Sequence, residues 1–163
     1  MMGGKERFVA RLDSMFTEGR YWHGNEPCHQ VAYLFDFAGR PDLTQKWVRH
    51  ILKTEYNDTP GGLSGNDDAG QMSAWYVFSA MGFYPVCPAT DRYMLGSPQF
   101  DRIVIHQENG RQFTIEAPQS ATRPYVEGVT FDGVPIRDSV LPHKAVVQGG
   151  TLRFSMTSSP SIH

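Results

Sequence analysis

Apolar residues recur at helical spacing throughout the first half of the chain. Every third or fourth residue is apolar within residues 5–16 and 41–56, and a further helix is predicted over residues 71–81. A helix is also predicted over residues 27–39, because proline suits a first helical position and glycine suits an end. Breaker-rich loops separate these segments. Stacked helical hairpins of this kind predict part of an α/α toroid or solenoid.

The pattern changes after Gly82, where short segments rich in β-branched and aromatic residues alternate with Gly, Pro and an Asn-Gly pair. The predicted strands are residues 92–95, 102–106, 112–116, 125–131 and 151–156. We therefore expect an α+β chain, with a helical domain over residues 1–84 and an antiparallel β-rich subdomain over residues 85–163.

Composition and charge narrow the classes of partner. The 163 residues carry a formal net charge of −2, and no run of like charge argues for nucleic acid or an anionic membrane. No apolar run approaches the roughly 20 residues needed to span a bilayer. Cys28 and Cys87 permit one disulfide, but two buried thiols are the favoured prediction.

Two adjacent acids stand just before the predicted fourth helix. Asp67 and Asp68 lie in a loop flanked by Gly65 and Gly70. One carboxylate suffices to cap a helix, so one of these acids is expected to be a cap. The second carboxylate and the glycines, which let the backbone approach a ligand closely, leave a binding role open.

A second polar loop precedes the predicted second helix. His23, Asn25 and Glu26 follow Trp22 there, and capping or aromatic packing is again the alternative to binding. Together the two loops supply carboxylate, amide and imidazole groups at what should be the same end of neighbouring hairpins. Carboxylate and amide oxygens favour Ca²⁺ or Mg²⁺ over zinc, and aromatic rings stack on sugar faces.

Several strings of the chain resemble the glycoside hydrolase family 92 α-mannosidases. They are Trp-His-Gly-Asn-Glu-Pro at 22–27, Tyr-Leu-Phe-Asp-Phe-Ala-Gly at 33–39, the run from Gly62 to Pro88 that contains Gly-Asn-Asp-Asp and Gln-Met-Ser-Ala-Trp, and Gly-Ser-Pro-Gln-Phe-Asp at 96–101. The resemblance implies part of an (α/α)6 catalytic domain that removes α-linked mannose, α-1,2-linked mannose above all, from glycans with inversion and with the help of Ca²⁺.

The resemblance also implies residue roles. Asp68 is expected to be the general base, with Asp67 beside it as a second catalytic residue. Asn25 and Glu26 are expected at the calcium ion, and the substrate-binding set is His23, Trp22, Glu26 and Gln71.

Members of the family are much longer than this chain. The general acid and an N-terminal β-sandwich are therefore expected in polypeptide outside the chain, which alone should be inactive. The parent is expected to be secreted or periplasmic. A calcium-assisted carbohydrate-binding module without catalysis is the alternative function.

Overall fold

The computed structural model describes residues 3–161 and contains the helices that apolar spacing predicts. The α-helices of the first half of this part are α1 (Lys5–Thr17), α2 (Leu34–Phe37), α3 (Pro41–Thr54) and α4 (Gln71–Met81). Pro41 begins α3, where its missing N–H is not needed. Gly82 ends α4 with a left-handed φ of 94° that favours glycine.

The helix predicted over residues 27–39 is wrong for most of its length. Two 3-10 turns, Glu26–Cys28 and Val31–Tyr33, precede the four-residue α2. The fully buried side chains His29, Ala32 and Phe35 recur every three residues. A repeat of three residues matches a 3-10 helix, whereas an α-helix repeats about every 3.6 residues. The two periods differ little over so short a segment, so the pattern predicted an α-helix where the chain forms 3-10 turns.

The second half forms two β-sheets and one short helix, α5 (His143–Gln148). The strands are β1 (Phe83–Tyr84), β2 (Arg92–Leu95), β3 (Arg102–His106), β4 (Gln112–Glu116), β5 (Tyr125–Phe131), β6 (Val134–Ile136), β7 (Val140–Pro142) and β8 (Gly150–Thr157). One sheet has the order β1-β2-β7, and the other has the order β3-β4-β8-β5-β6. All five predicted strands are present.

The prediction of a wholly antiparallel sheet is wrong at one pair. β4 and β8 run parallel, with Phe113 opposite Gly150 and Ile115 opposite Leu152. Local turn signals reveal hairpins between consecutive strands, but they carry no information on the pairing of strands that are distant in sequence. The fold class is therefore α+β with a mixed sheet.

The buried side chains form two clusters that meet at strands β1 and β2. Tyr84 and Met94 pack with the helices, whereas their neighbours Phe83 and Leu95 pack with the large sheet. Alternation of side chains across a strand places neighbours on opposite faces in this way. Division into domains 1–84 and 85–163 stays a prediction.

The structure differs from the expectations of a toroid and of two buried cysteines. The helices of residues 3–161 do not close into a visible toroid. Both cysteines are free thiols, but Cys28 is half-buried and Cys87 is exposed, so the prediction of two buried thiols is wrong. Within the described part, no helix is long and apolar enough to cross a bilayer.

Candidate active site

Asp67 caps helix α4. Its Oδ1 accepts a hydrogen bond from the backbone N–H of Ser73 at 2.8 Å, and its Oδ2 accepts one from the Ser73 hydroxyl at 3.0 Å. The Asp67 carbonyl oxygen also accepts the N–H groups of Gly70 and Met72. These bonds satisfy donors that the first turn of a helix leaves unpaired. The capping alternative therefore describes Asp67.

Asp68 differs from Asp67 in its exposure and its backbone. The residue is exposed, and its φ of 47° begins a left-handed run that continues through Ala69 (59°) and Gly70 (96°). A positive φ is uncommon outside glycine and costs free energy, although Asp tolerates it better than most residues. Among the described residues, no hydrogen bond engages the Asp68 carboxylate. The run therefore places an exposed carboxyl group just before the first turn of α4.

The two polar loops are in direct contact. A Cβ placed on Gly24 would lie 2.6 Å from the Ser64 carbonyl oxygen, and one placed on Gly65 would lie 2.6 Å from the Gly24 Cα. Only glycine permits two backbones to approach so closely. The structure thus brings the loop of His23, Asn25 and Glu26 against the loop of Asp67 and Asp68.

His23 lies fully buried beneath these loops, with both ring nitrogens engaged. Tyr56 Oη donates to the Met72 carbonyl oxygen at 3.0 Å and therefore accepts from His23 Nε2 at 2.6 Å. His23 Nδ1 is then the acceptor for Tyr21 Oη at 2.7 Å. Burial, aided by the neighbouring His29, lowers the pKa of His23 to about 3. The neutral imidazole cross-links the chain below the site.

His29 is a site residue that the sequence reasoning missed. It is buried, its Nε2 donates to the His23 carbonyl oxygen at 3.1 Å, and its Nδ1 is left without a partner among the described residues. Burial lowers the pKa of His29, and this shift is opposed in part by its hydrogen bond to the His23 carbonyl oxygen and by the charges of Glu26 and Asp68. One imidazole thus feels a carboxylate from each loop. The string Glu-Pro-Cys-His was the available signal.

The remaining predicted residues surround this junction. Trp22 is 57% exposed and lies against Gly24, and Asn25 and Glu26 are exposed. Gln71, at the start of α4, donates to Tyr84 Oη at 2.9 Å. Burial raises the pKa of Tyr84, which keeps that hydroxyl neutral. Trp75 is fully buried and donates from Nε1 to the His29 carbonyl oxygen, so it is a core residue.

The donors available to a hard cation are oxygens on exposed side chains. Asn25 offers an amide oxygen and Glu26 offers a carboxylate, which are the ligand types that calcium prefers. Residues 3–161 contain no group of three or more His, Cys, Asp or Glu side chains placed to hold a metal. These residues fit part of a calcium shell, which water, substrate hydroxyls or further polypeptide would have to complete.

Exposed carboxylates and an exposed tryptophan ring are compatible with a carbohydrate ligand, because apolar sugar faces stack on aromatic rings. Residues 1–158 match the family model of the glycosyl hydrolase family 92 catalytic domain, and the chain belongs to that family.

Solved structures and one curated relative agree with this membership. The family GH92 alpha-mannosidase BT3965 from Bacteroides thetaiotaomicron is 43% identical with a TM-score of 0.91, over 98% of this chain and 22% of that one. The inverting mannosidase BT2199 of the same bacterium is 38% identical with a TM-score of 0.89, over 98% of this chain and 25% of that one. A protein of Arthroderma benhamiae described as an uncharacterized secreted glycosidase is 31% identical over 99% of this chain and 21% of its own length. The chain therefore spans between a fifth and a quarter of these relatives.

Proposed function

We propose that this chain forms part of the catalytic domain of an exo-acting α-mannosidase that removes mannose from glycans with inversion. The observations that carry the proposal are the match of residues 1–158 to the family model and the contact between the two glycine-containing loops. Family membership and the titles of the structural relatives, an alpha-mannosidase and an inverting mannosidase, support the same reaction.

Asp68 is our candidate for the general base. An inverting glycosidase needs a carboxylate that removes a proton from the attacking water. Asp68 is exposed, whereas both carboxylate oxygens of Asp67 are occupied at the start of α4. Asp67 then holds the loop in place as a cap, and its neighbour faces the water.

The first loop is the proposed place of calcium and the sugar hydroxyls. Calcium, when bound, would hold vicinal hydroxyls of the mannose. Asn25 and Glu26 would supply its protein oxygens, and Trp22 would stack on a sugar face because its ring is exposed. Gln71 would bind a hydroxyl from the α4 side. We propose that His23 acts through the loop rather than on the sugar, since both of its ring nitrogens are engaged below it.

The proposal requires further polypeptide. Inversion needs a second carboxyl group about 6.5–9.5 Å from the base, to protonate the leaving oxygen. Neighbouring Asp67 and Asp68 cannot form that pair. We therefore propose that the general acid, an N-terminal β-sandwich and the remaining hairpins of an (α/α)6 toroid belong to a longer parent, with α-1,2-linked mannose as substrate. The secreted relative favours a secreted or periplasmic parent.

A chimera tests this function directly. Residues 1–158 would replace the matching segment of the 43% identical Bacteroides α-mannosidase, and turnover of an activated α-mannoside would be measured. We expect an active chimera that Asp68→Asn inactivates by about a thousandfold or more, while the exposed Asp58→Asn changes little. The 163-residue chain alone should show no turnover. A chimera that binds mannose but stays inactive would support the alternative, a calcium-assisted binding module.

A further inference from the structure

Helix α3 carries a row of basic side chains on one face, away from the loops described above. Lys46, Arg49, His50 and Lys53 stand at positions i, i+3, i+4 and i+7, which lie above one another along about 10 Å of helix. They line a groove of about 640 Å³ that Trp47, Gln99, Pro124 and Tyr125 complete. We call this the cationic groove.

Arg49 is a half-buried charge held by neutral groups. Its Nη1 donates to the Pro98 carbonyl oxygen at 2.7 Å, and its Nη2 donates to the Ser120 carbonyl oxygen at 2.9 Å. Asp101 accepts from the N–H and hydroxyl of Ser120, and within residues 3–161 no ion pair joins Arg49 to a carboxylate. Buried charges in proteins are normally paired with a counter-charge. Two of the five guanidinium donors are used, and the group is fixed in place.

The other described residues that line the groove also lack carboxylates that could balance its basic side chains. Asp13 approaches Lys46 at 3.5 Å from outside the groove, but the same oxygen accepts from Trp47 Nε1 at 2.7 Å. Lys53 has no ion pair within residues 3–161. Like charges at i+3 and i+4 repel each other along a helix, so an anion bound between Arg49 and Lys53 would relieve repulsion on this face of α3.

We propose that the cationic groove binds an oxyanion group, a phosphate or sulfate ester, carried on a sugar. Arginine and lysine side chains are the usual partners of such groups, and a fixed guanidinium loses little freedom on binding. The volume falls within the range of small-molecule sites, about 300–1,000 Å³. Pro124 and Tyr125 give the groove an apolar wall for the sugar ring. The oxyanion is inferred from the groove itself, whereas the choice of a mannose carrier rests on the proposed function.

The test is a titration of the 163-residue chain followed by backbone amide NMR, with mannose 6-phosphate, inorganic phosphate and mannose as separate probes. We expect saturating shifts at the amides of residues 46–53, 123 and 125 with mannose 6-phosphate, weaker shifts with phosphate, and none there with mannose. Lys53→Gln should weaken binding about fivefold, as expected for one exposed ion pair. Raising the salt concentration should weaken it further.

Lys144→Gln is the matched control, because it removes one positive charge from an exposed position on α5. Arg49→Lys, with a melting curve to verify folding, should weaken binding more than Lys53→Gln does. Equal loss in Lys144→Gln, or shifts scattered over the cationic residues of the sheet, would overturn the proposal. So would tighter binding of an acidic polypeptide than of mannose 6-phosphate, since the groove would then be a protein contact.

Discussion

The neighbouring aspartates at the start of α4 differ in their contacts, and we propose a structural role for Asp67 and a chemical role for Asp68. Both carboxylate oxygens of Asp67 accept hydrogen bonds from Ser73, whereas Asp68 has a positive φ and an exposed side chain. Strain of this kind is commonly retained at functional sites. The same Asp-Asp string therefore contains a helix cap and a candidate base, and stability measurements distinguish them.

Replacing Asp67 with Ala should lower the free energy of unfolding by about 1 kcal/mol, because α4 loses its cap. Asp68→Asn should change it by less than about 0.5 kcal/mol, since Asn also tolerates a left-handed φ. Urea unfolding of the two variants measures both values. Equal destabilisation would contradict the division of roles, because Asp68 would then also be a structural residue.

Asp36 makes stability depend on pH. Burial raises the pKa of its carboxyl well above the usual 3.8, which nearby Thr44 lowers only in part. Neither carboxyl oxygen reaches hydrogen-bond geometry with a described residue. As pH rises above 3.8, the unfolded chain releases this proton first, so the folded chain binds more protons. This contribution to stability is present at low pH and is lost as pH rises through the raised pKa.

Asp36→Asn should therefore flatten the decline in stability that begins as pH rises above 3.8, because the variant has no carboxyl group there to release a proton. Urea unfolding at several pH values measures the slope, and Asp58→Asn, at an exposed position, is the control. A variant that loses stability at pH 8 but not at pH 5 would contradict this, because it would mean that the Asp36 carboxylate has a favourable partner.

At the scale of elements, sequence patterns predicted what local interactions determine. The bounds of α4 agree with the prediction because a breaker-rich loop precedes it and Gly82 ends it, and strand β5 lies where β-branched and aromatic residues predict it. The 3-10 turns after Glu26 and the parallel pairing of β4 with β8 were not predicted. The first depends on a small difference in helical period, and the second depends on contacts across the whole sheet.

The residue types in the two loops predicted the candidate site, but the contacts between the loops could not be predicted from the sequence. Acids between glycines identified both loops, yet nothing in the sequence indicated that Gly24 and Gly65 touch. Nor did it indicate that His23 would lie buried with both nitrogens bonded to tyrosines. The contacts of Gly24 with Gly65 and of His23 with Tyr56, which is 33 positions away, join residues that are distant in sequence. The pattern of a single sequence does not report such contacts.

The contact between loops can be broken at one atom. In Gly65→Ala, the added Cβ would lie 2.6 Å from the Gly24 Cα, and backbone cannot yield as a flexible side chain can. We expect a loss of about 1–3 kcal/mol of stability and a displaced first loop, seen as amide shifts at residues 22–26. Gly61→Ala is the control, because a Cβ there meets no atom within 4 Å. Equal effects would mean that the close approach is unimportant.

At the scale of the molecule, the helical layer and the large sheet are tied by side chains of one helix. Gln45 Oε1 accepts the backbone N–H of Val126 at 3.0 Å, and Arg49 donates to two carbonyls beyond the helices. Both side chains lie on α3. Tyr56, which follows this helix, bonds to His23 beneath the loops, so α3 connects the sheet with the support of the candidate site. Binding at either loop should therefore stabilise the chain as one unit.

Calcium provides a measure of that coupling. A ligand that binds only the folded chain adds about 2.7 kcal/mol at one hundred times its dissociation constant, so saturating calcium should raise the melting temperature and a chelator should reverse the rise. Glu26→Gln should abolish the effect, because it removes the proposed carboxylate ligand, whereas Glu108→Gln, in the β3–β4 turn, should not. A melting temperature that calcium leaves unchanged would mean that this chain supplies too few oxygens to hold the ion. The calcium site would then have to be built mainly from the longer parent, and mannose binding by the chain alone should be insensitive to chelators as well.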